Sequence, residues 1–342
     1  MNKKLIIFMP LIKWGGLEKN LFIISNYLSK NIKNIYLITS NKIPSGKLNR
    51  KIRIITPSIF KNTLSKKIKY LACIFVLIKF LYKNKNCVVF SFQANIYSAL
   101  ICLIYNIKII IRSNTSPSGW DHSLIKKIVY CTIMKRVDKI ILNSLEFKKQ
   151  FKKELNLDSV CIYNPLNISE IKKNSLKKLK LPFFDKNKKA LKILNIGRLT
   201  PQKDQITILK AIKKIDKKIN FKFIILGSGE CKEYLKKYIN KNNLQKKVRI
   251  ISYKFNVYNI LKKADLFVLS SKFEGLPNVL LEAIALKKPV ISSDCPSGPR
   301  EILMNGKGGL LFKVDDYKNL SKKIIYYLNN KKIIKKKTNF AY

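Results

Sequence analysis

The stretch LFVLSSKFEGLPNVLLEAI, residues 266–284, decides how the rest of the chain is read. LFVL is a short continuous apolar run of the kind that forms a strand buried on both faces. Residues 271–276 then read as a turn. Pro277 or Asn278 opens a helix continuing through Val279 to Leu286, because proline is tolerated in a first helical turn and asparagine caps one. Strand, turn and helix in that order make half of a βαβ unit.

The same signature recurs outward in both directions. Apolar runs at LKILNIGR (191–198), FKFIILGSG (221–229), VRIISY (248–253), PVISSD (289–294) and GGLLFKV (308–314) alternate with lysine-rich amphipathic segments. The first half repeats the pattern with LIIFM (5–9), NIYLITS (34–40), VVFSF (88–92), KIIIRS (108–113), KIILNS (139–144) and VCIYN (160–164). Interleaved strands and helices of this sort predict parallel sheets covered on both faces. The chain is an α/β protein of two tandem β/α domains, residues 1–168 and 191–342, joined by a polar, basic linker at 169–190. Two such domains place a cleft between the carboxyl ends of their sheets, where open α/β folds bind ligands.

Composition narrows the classes further. With 342 residues and 47% apolar residues, the chain can bury two cores. Its 70 Lys and Arg against 19 Asp and Glu give a formal charge of +51, which ordinarily points to a polyanionic partner. Arginine stands at only seven positions, while lysine, isoleucine and asparagine recur throughout, so the charge reads as a solvated surface rather than a specific nucleic-acid patch. Attraction to anionic lipid headgroups survives that discount. Seven scattered cysteines without a C-x-x-C pair read as reduced core residues of a cytosolic protein. YLACIFVLI (70–78) is too short to span a bilayer, and no signal peptide or transmembrane helix is expected.

The chemistry is expected at strand ends. Arg198 follows a glycine directly after its strand, and Lys203 lies five residues on. A guanidinium fork and an ammonium point charge suit a diphosphate. Gly227 and Ser228, in ILGSGE, and Gly15 and Gly16, in KWGGLEKN, are small residues past strand ends that let a ligand approach backbone. Neither completes G-x-G-x-x-G, which disfavours a nicotinamide dinucleotide. Glu274 lies in the turn of the opening stretch and Glu282 about one turn inside its helix. The two therefore do not form an acid/base pair on one helical face. A carboxylate at each end of a helix start suits a ligand with hydroxyls at both ends and an anion between, the layout of a sugar nucleotide.

GGLEK (15–19), NP (164–165), GRLTPQKD (197–204), GSGE (227–230), EGLPNVLLEAIALKKPVISSD (274–294) and PSGPREI (296–302) together resemble the retaining glycosyltransferases of family 4, from end to end. The resemblance implies a GT-B fold: an N-terminal acceptor-binding and a C-terminal nucleotide-sugar-binding Rossmann-like domain facing each other across a cleft, with no metal and no cofactor. It implies Glu282 on the ribose, Arg198 and Lys203 on the diphosphate, and Glu274 on the transferred sugar. Gly275, Leu276, Pro277, Asn278 and Val279 would line the helix start beside it, and Gly15 and Gly16 would admit the phosphate. The substrates implied are a UDP-sugar and a glycan or polyprenyl-diphosphate-linked acceptor, handled at the inner face of the cytoplasmic membrane. PSGPREI is similar to transferases of N-acetylated hexosamines. On the acceptor side stand Arg112, His122 and Gln93, the last where family members often carry histidine. The chain ends at KKIIKKKTNFAY (331–342), where GT-B transferases often continue into a helix that crosses back. The reading from a different class is a non-catalytic polyanion-binding protein with a vestigial nucleotide-sugar site.

Overall fold

The structure, a computed structural model, describes residues 3–12, 15–58, 65–114, 124–185, 189–252 and 256–342, with 124–126 described by backbone alone. The chain divides into two compact units, Met1–Pro165 and Leu166–Tyr342.

The first unit is built on a seven-stranded parallel sheet. Its strands are β1 (Lys4–Phe8), β2 (Ile35–Ile38), β3 (Ile52–Ile55), β4 (Cys87–Ser91), β5 (Lys108–Ser113), β6 (Lys139–Leu142) and β7 (Val160–Cys161), in the order β3-β2-β1-β4-β5-β6-β7. Six of these lie in the expected apolar runs. β3 does not: it reads IRII on the sheet edge, with Arg53 and Ile54 exposed, so it never shows the continuous apolar run of a strand buried on both faces.

The second unit carries six parallel strands, all in the expected runs. They are β8 (Leu191–Ile196), β9 (Phe221–Leu226), β10 (Val248–Ile251), β11 (Leu266–Leu269), β12 (Val290–Ser293) and β13 (Leu310–Phe312), in the order β10-β9-β8-β11-β12-β13. Alternate residues face opposite sides of a sheet. Accordingly Ile193 and Val268 enter one core while Leu194 and Phe267 enter the other.

In both units the winding reverses beside the first strand, between β1 and β4 and between β8 and β11. At such a switch point the loops leaving two adjacent strands open a crevice at the carboxyl edge.

Of residues 169–190, expected as a linker, the described ones, 169–185 and 189–190, are instead built into the second unit. Asn167 caps the helix Ile168–Ser175, its Oδ1 accepting from the Glu170 N–H at 3.1 Å. Leu181, Phe183 and Phe184 then bury in the second unit's core. Lysines around that apolar cluster gave the stretch its linker-like composition. None of the seven cysteines, all of them described, is in a disulfide. Among the described residues no helix is long and apolar enough to cross a membrane.

Candidate active site

The site in the second unit is assembled by the loops leaving β8 and β11. Asn195, near the end of β8, donates from Nδ2 to the Val268 carbonyl of β11 at 2.8 Å and so fixes the two strand ends together. After Thr200 the chain makes a single 3₁₀ turn, Pro201–Lys203. Asp204 follows in the left-handed region (φ 46°), and the α-helix starts only at Gln205. The Ser270 hydroxyl accounts for the break, reaching the carbonyls of Lys203 (2.9 Å) and Asp204 (2.8 Å).

That break aims Lys203 across the switch point. Its Nζ lies 2.5 Å from Glu274 Oε1, and the Ser271 hydroxyl donates to the same oxygen at 2.6 Å. Both partners are largely withdrawn from water, with side-chain exposures of 16% and 7%. Gln202 cross-links the loops a second time. Its Oε1 accepts from Arg198 Nη2 (3.2 Å), its Nε2 donates to the Phe273 carbonyl (3.0 Å), and its own carbonyl accepts from the Lys272 N–H (2.8 Å). Arg198 is exposed at the rim. Three residues singled out in the sequence thus converge, held by Gln202 and Ser271, which were not.

The helix Asn278–Ala285 begins where the sequence placed it, with Pro277 as N-cap. Its first turn carries partial positive charge from the helix dipole. Glu282 is on its fourth position after the start and 2% exposed, with the Tyr258 hydroxyl 3.3 Å from Oε1. Leu276, Pro277 and Asn278 are buried, while Gly275 and Val279 are half-buried. From the β12 side, Ser297 donates to the Glu274 carbonyl at 2.5 Å, and a Cβ on Gly298 (φ 73°) would fall 2.0 Å from the Gly275 carbonyl oxygen.

Gly227 has a packing reason of its own. A Cβ there would lie 1.8 Å from the Gly197 carbonyl oxygen, so the glycine lets the β8 and β9 loops touch. Ser228 is exposed, and its carbonyl accepts from the Leu199 N–H at 2.9 Å.

Beneath the site lies an acidic pair. Asp204 is 5% exposed, and burial together with neighbouring Asp315 raises its carboxyl to about 6. Lys272 pairs with Asp315 at 3.0 Å on the outer side.

Of the first-unit candidates, Gly15, Gly16 and Gln93 stand in the loops leaving β1 and β4, at that unit's own switch point. Gly15 caps the helix Gly16–Leu28, its N–H donating to Glu18 Oε2 at 2.7 Å, with both glycines exposed. Gln93 uses Oε1 to accept from the Leu11 N–H (3.1 Å) and the Tyr70 hydroxyl (3.2 Å), joining the loops after β1 and β4. Arg112, expected to face substrate, is 1% exposed. Its Nη2 donates to the Ile162 carbonyl (3.1 Å) and Asn164 Oδ1 (3.0 Å), and burial lowers its pKa to about 10. Here the guanidinium ties β5 to the Asn164-Pro165 element. His122 lies outside the described residues. Among the described residues no three His, Cys, Asp or Glu side chains gather in a metal-binding group.

Residues 177–342 match the family described as "Glycosyl transferases group 1". An uncharacterized glycosyltransferase of Methanocaldococcus jannaschii is 37% identical over 206 residues, covering 58% of this chain and 51% of that protein. A Campylobacter jejuni protein, N-acetylgalactosamine-N,N'-diacetylbacillosaminyl-diphospho-undecaprenol 4-alpha-N-acetylgalactosaminyltransferase, is 26% identical over 354 residues, covering 99% of this chain and 94% of its own. Among solved structures, Anabaena HepE in complex with UDP-glucose superposes with a TM-score of 0.79 at 17% identity, over 99% of this chain and 93% of that one. The chain therefore carries a glycosyl transferases group 1 domain at residues 177–342 and has the GT-B fold.

Proposed function

We propose that the chain is a retaining, metal-independent glycosyltransferase of family 4, moving a hexose or N-acetylhexosamine from a UDP-sugar to a glycan or polyprenyl-diphosphate-linked acceptor. It would act in surface-polysaccharide synthesis at the cytoplasmic face of the membrane. The observation that carries the reading is the meeting of Lys203 and Glu274 on the adjacent loops of a switch point, with Arg198 tied to the same loops through Gln202.

The chemistry follows from those charges. As the bond between sugar and nucleotide breaks, negative charge grows on the leaving phosphate. Cations fixed there before reaction stabilise the transition state more than the ground state. Arg198, Lys203 and the first turn of Asn278–Ala285 supply that field without a metal. Lys203 is neutralised by Glu274, so the donor enters by parting them: phosphate takes the ammonium, and sugar hydroxyls take the carboxylate. Glu282 takes the ribose, replacing its contact with Tyr258. Retention follows if the acceptor attacks from the leaving-group face and the departing phosphate accepts its proton, which needs no carboxylate nucleophile.

The Campylobacter jejuni relative, named for a diphospho-undecaprenol substrate, supports a lipid-linked acceptor and an N-acetylhexosamine. The bound UDP-glucose of the Anabaena protein supports the nucleotide. A thermal-shift panel of nucleoside diphosphates and nucleotide sugars tests the reading. A ligand at a hundred times its Kd stabilises by about 2.7 kcal/mol, and silence across the panel would overturn it.

A further inference from the structure

Among the described residues, three helices of the first unit carry exposed apolar side chains on their outward faces. Lys66–Lys83, Asn95–Ile104 and Leu124–Met134 lie side by side, and all three bury one face in the same core against the sheet. Cys73, Leu77 and Leu81 make that inward face on the first helix, and Ala99 and Cys102 on the second. The bases of the helices are thus satisfied.

Their outward faces are not polar, as surface helices ordinarily are. On the first helix Leu71, Phe75 and Tyr82 are each at least 64% exposed, spaced to share one stripe. On the second, Tyr97 and Ile104 are 60% and 78% exposed, seven residues apart and again on one face. Ile128 and Val129 continue the surface onto the third. Single exposed hydrophobics are common, but several on each of three neighbouring helices mark an interaction face.

Charge says what the face meets. None of the three helices contains an aspartate or a glutamate. Lys66, Lys67, Lys79 and Lys83 rim the first helix, and Lys127 lies beside Ile128 on the third, all exposed. Apolar side chains within a lysine rim, in helices lying flat on a sheet, match the acyl and headgroup layers of an anionic bilayer surface. A protein partner would call for acidic complementarity at those positions, and a second copy of this chain would bring the same lysines against themselves.

We propose that this three-helix face docks the protein on an anionic lipid surface, with Leu71, Phe75 and Ile104 entering the interface and the lysines engaging headgroups. The inference deepens the membrane-face reading above, and it commits to the lipid surface rather than to the lipid-linked acceptor. The test is co-sedimentation of the full chain with vesicles of equal parts phosphatidylglycerol and phosphatidylcholine, against pure phosphatidylcholine. Binding is expected to the first at least tenfold above the second. The variant Leu71→Ser/Phe75→Ser/Ile104→Ser is expected to lose at least tenfold of that binding. Reversing Lys67→Glu/Lys79→Glu, which touches no core residue, loses a similar factor, since each lysine near such a surface contributes about fivefold.

Equal binding to both vesicle types, or unchanged binding by both variants, would overturn the proposal. A concentration-dependent dimer abolished by the serine variant would also overturn it, reassigning the face to a second copy. The nucleotide-sugar thermal shift, read on the same variants, keeps the two readings apart. A preserved shift without vesicle binding sinks the docking face and leaves the transferase. Vesicle binding lost in the variants, with no shift from any nucleotide sugar, does the reverse.

Discussion

Lys203 and Glu274 hold each other in a mostly dry setting, so neither can be removed in isolation without leaving a buried charge uncompensated. Lys203→Met is expected to destabilise by roughly 3 kcal/mol and Glu274→Gln by a similar amount. The double variant should recover most of that loss, because no stranded charge remains. Sugar transfer should stay abolished in all three, which separates the pair's role in stability from its role at the donor. Urea midpoints for the four proteins close the cycle; a double variant as unstable as the sum of the singles would sink the account. Gly227 allows a second forecast at this scale. Alanine there places a methyl 1.8 Å from a backbone oxygen that cannot swing aside, so about 3 kcal/mol of destabilisation is expected. If Gly227→Ala melted like the parent chain, the close approach of the β8 and β9 loops would be in error.

At the scale of elements, the twelve apolar runs found in the sequence each hold a strand, because a parallel strand covered on both faces has no polar side to interrupt it. β3 escaped for the converse reason, being an edge strand with Arg53 in its middle. The candidate site was legible where charged residues stand in the loops after strands, as at Arg198, Lys203 and Glu274. It was not legible where a residue's role depends on a distant partner. Gln202 bridges to a carbonyl 71 positions on, and Arg112 is buried because acceptors 50 and 52 residues later come to meet it. Asp204, at the joint between the 3₁₀ turn and its helix, carries a pH prediction. Burial and Asp315 raise its pKa from 3.8 to about 6, so the folded state binds its proton more tightly than the unfolded one. The stabilisation this provides is complete below about pH 4 and is lost as pH rises through about 6. Asp204→Asn keeps a residue that tolerates the left-handed region and carries no charge. Relative to the parent chain, the variant should therefore be more stable at about pH 8 than at about pH 4, by up to roughly 3 kcal/mol. Paired denaturation curves at the two pH values decide it, and an equal difference at both would return Asp204 to ordinary titration.

Over the whole molecule, a formal charge of +51 makes the folded chain repel itself, since folding gathers lysines that the unfolded chain holds far apart. Few acids are available to offset this, and exposed pairs such as Lys152 with Asp158 or Lys236 with Glu233 contribute little each. Salt then acts in one direction. Raising ionic strength from about 0.01 M to about 1 M shortens the screening length from about 30 Å to about 3 Å, which removes most of the repulsion and only a little attraction. The melting temperature is expected to climb by several degrees over that range in sodium chloride. The buried Lys203–Glu274 pair contributes almost nothing to the change, so the Lys203→Met/Glu274→Gln variant should show the same slope. Vesicle binding draws on the same positive field and should weaken over the same range, giving two observables of opposite sign from one cause. A melting temperature that fell with salt would mean that ion pairs outweigh the repulsion. The excess of lysine would then have to be stabilised locally, by acids close enough in space to pair with it, rather than merely tolerated by the fold.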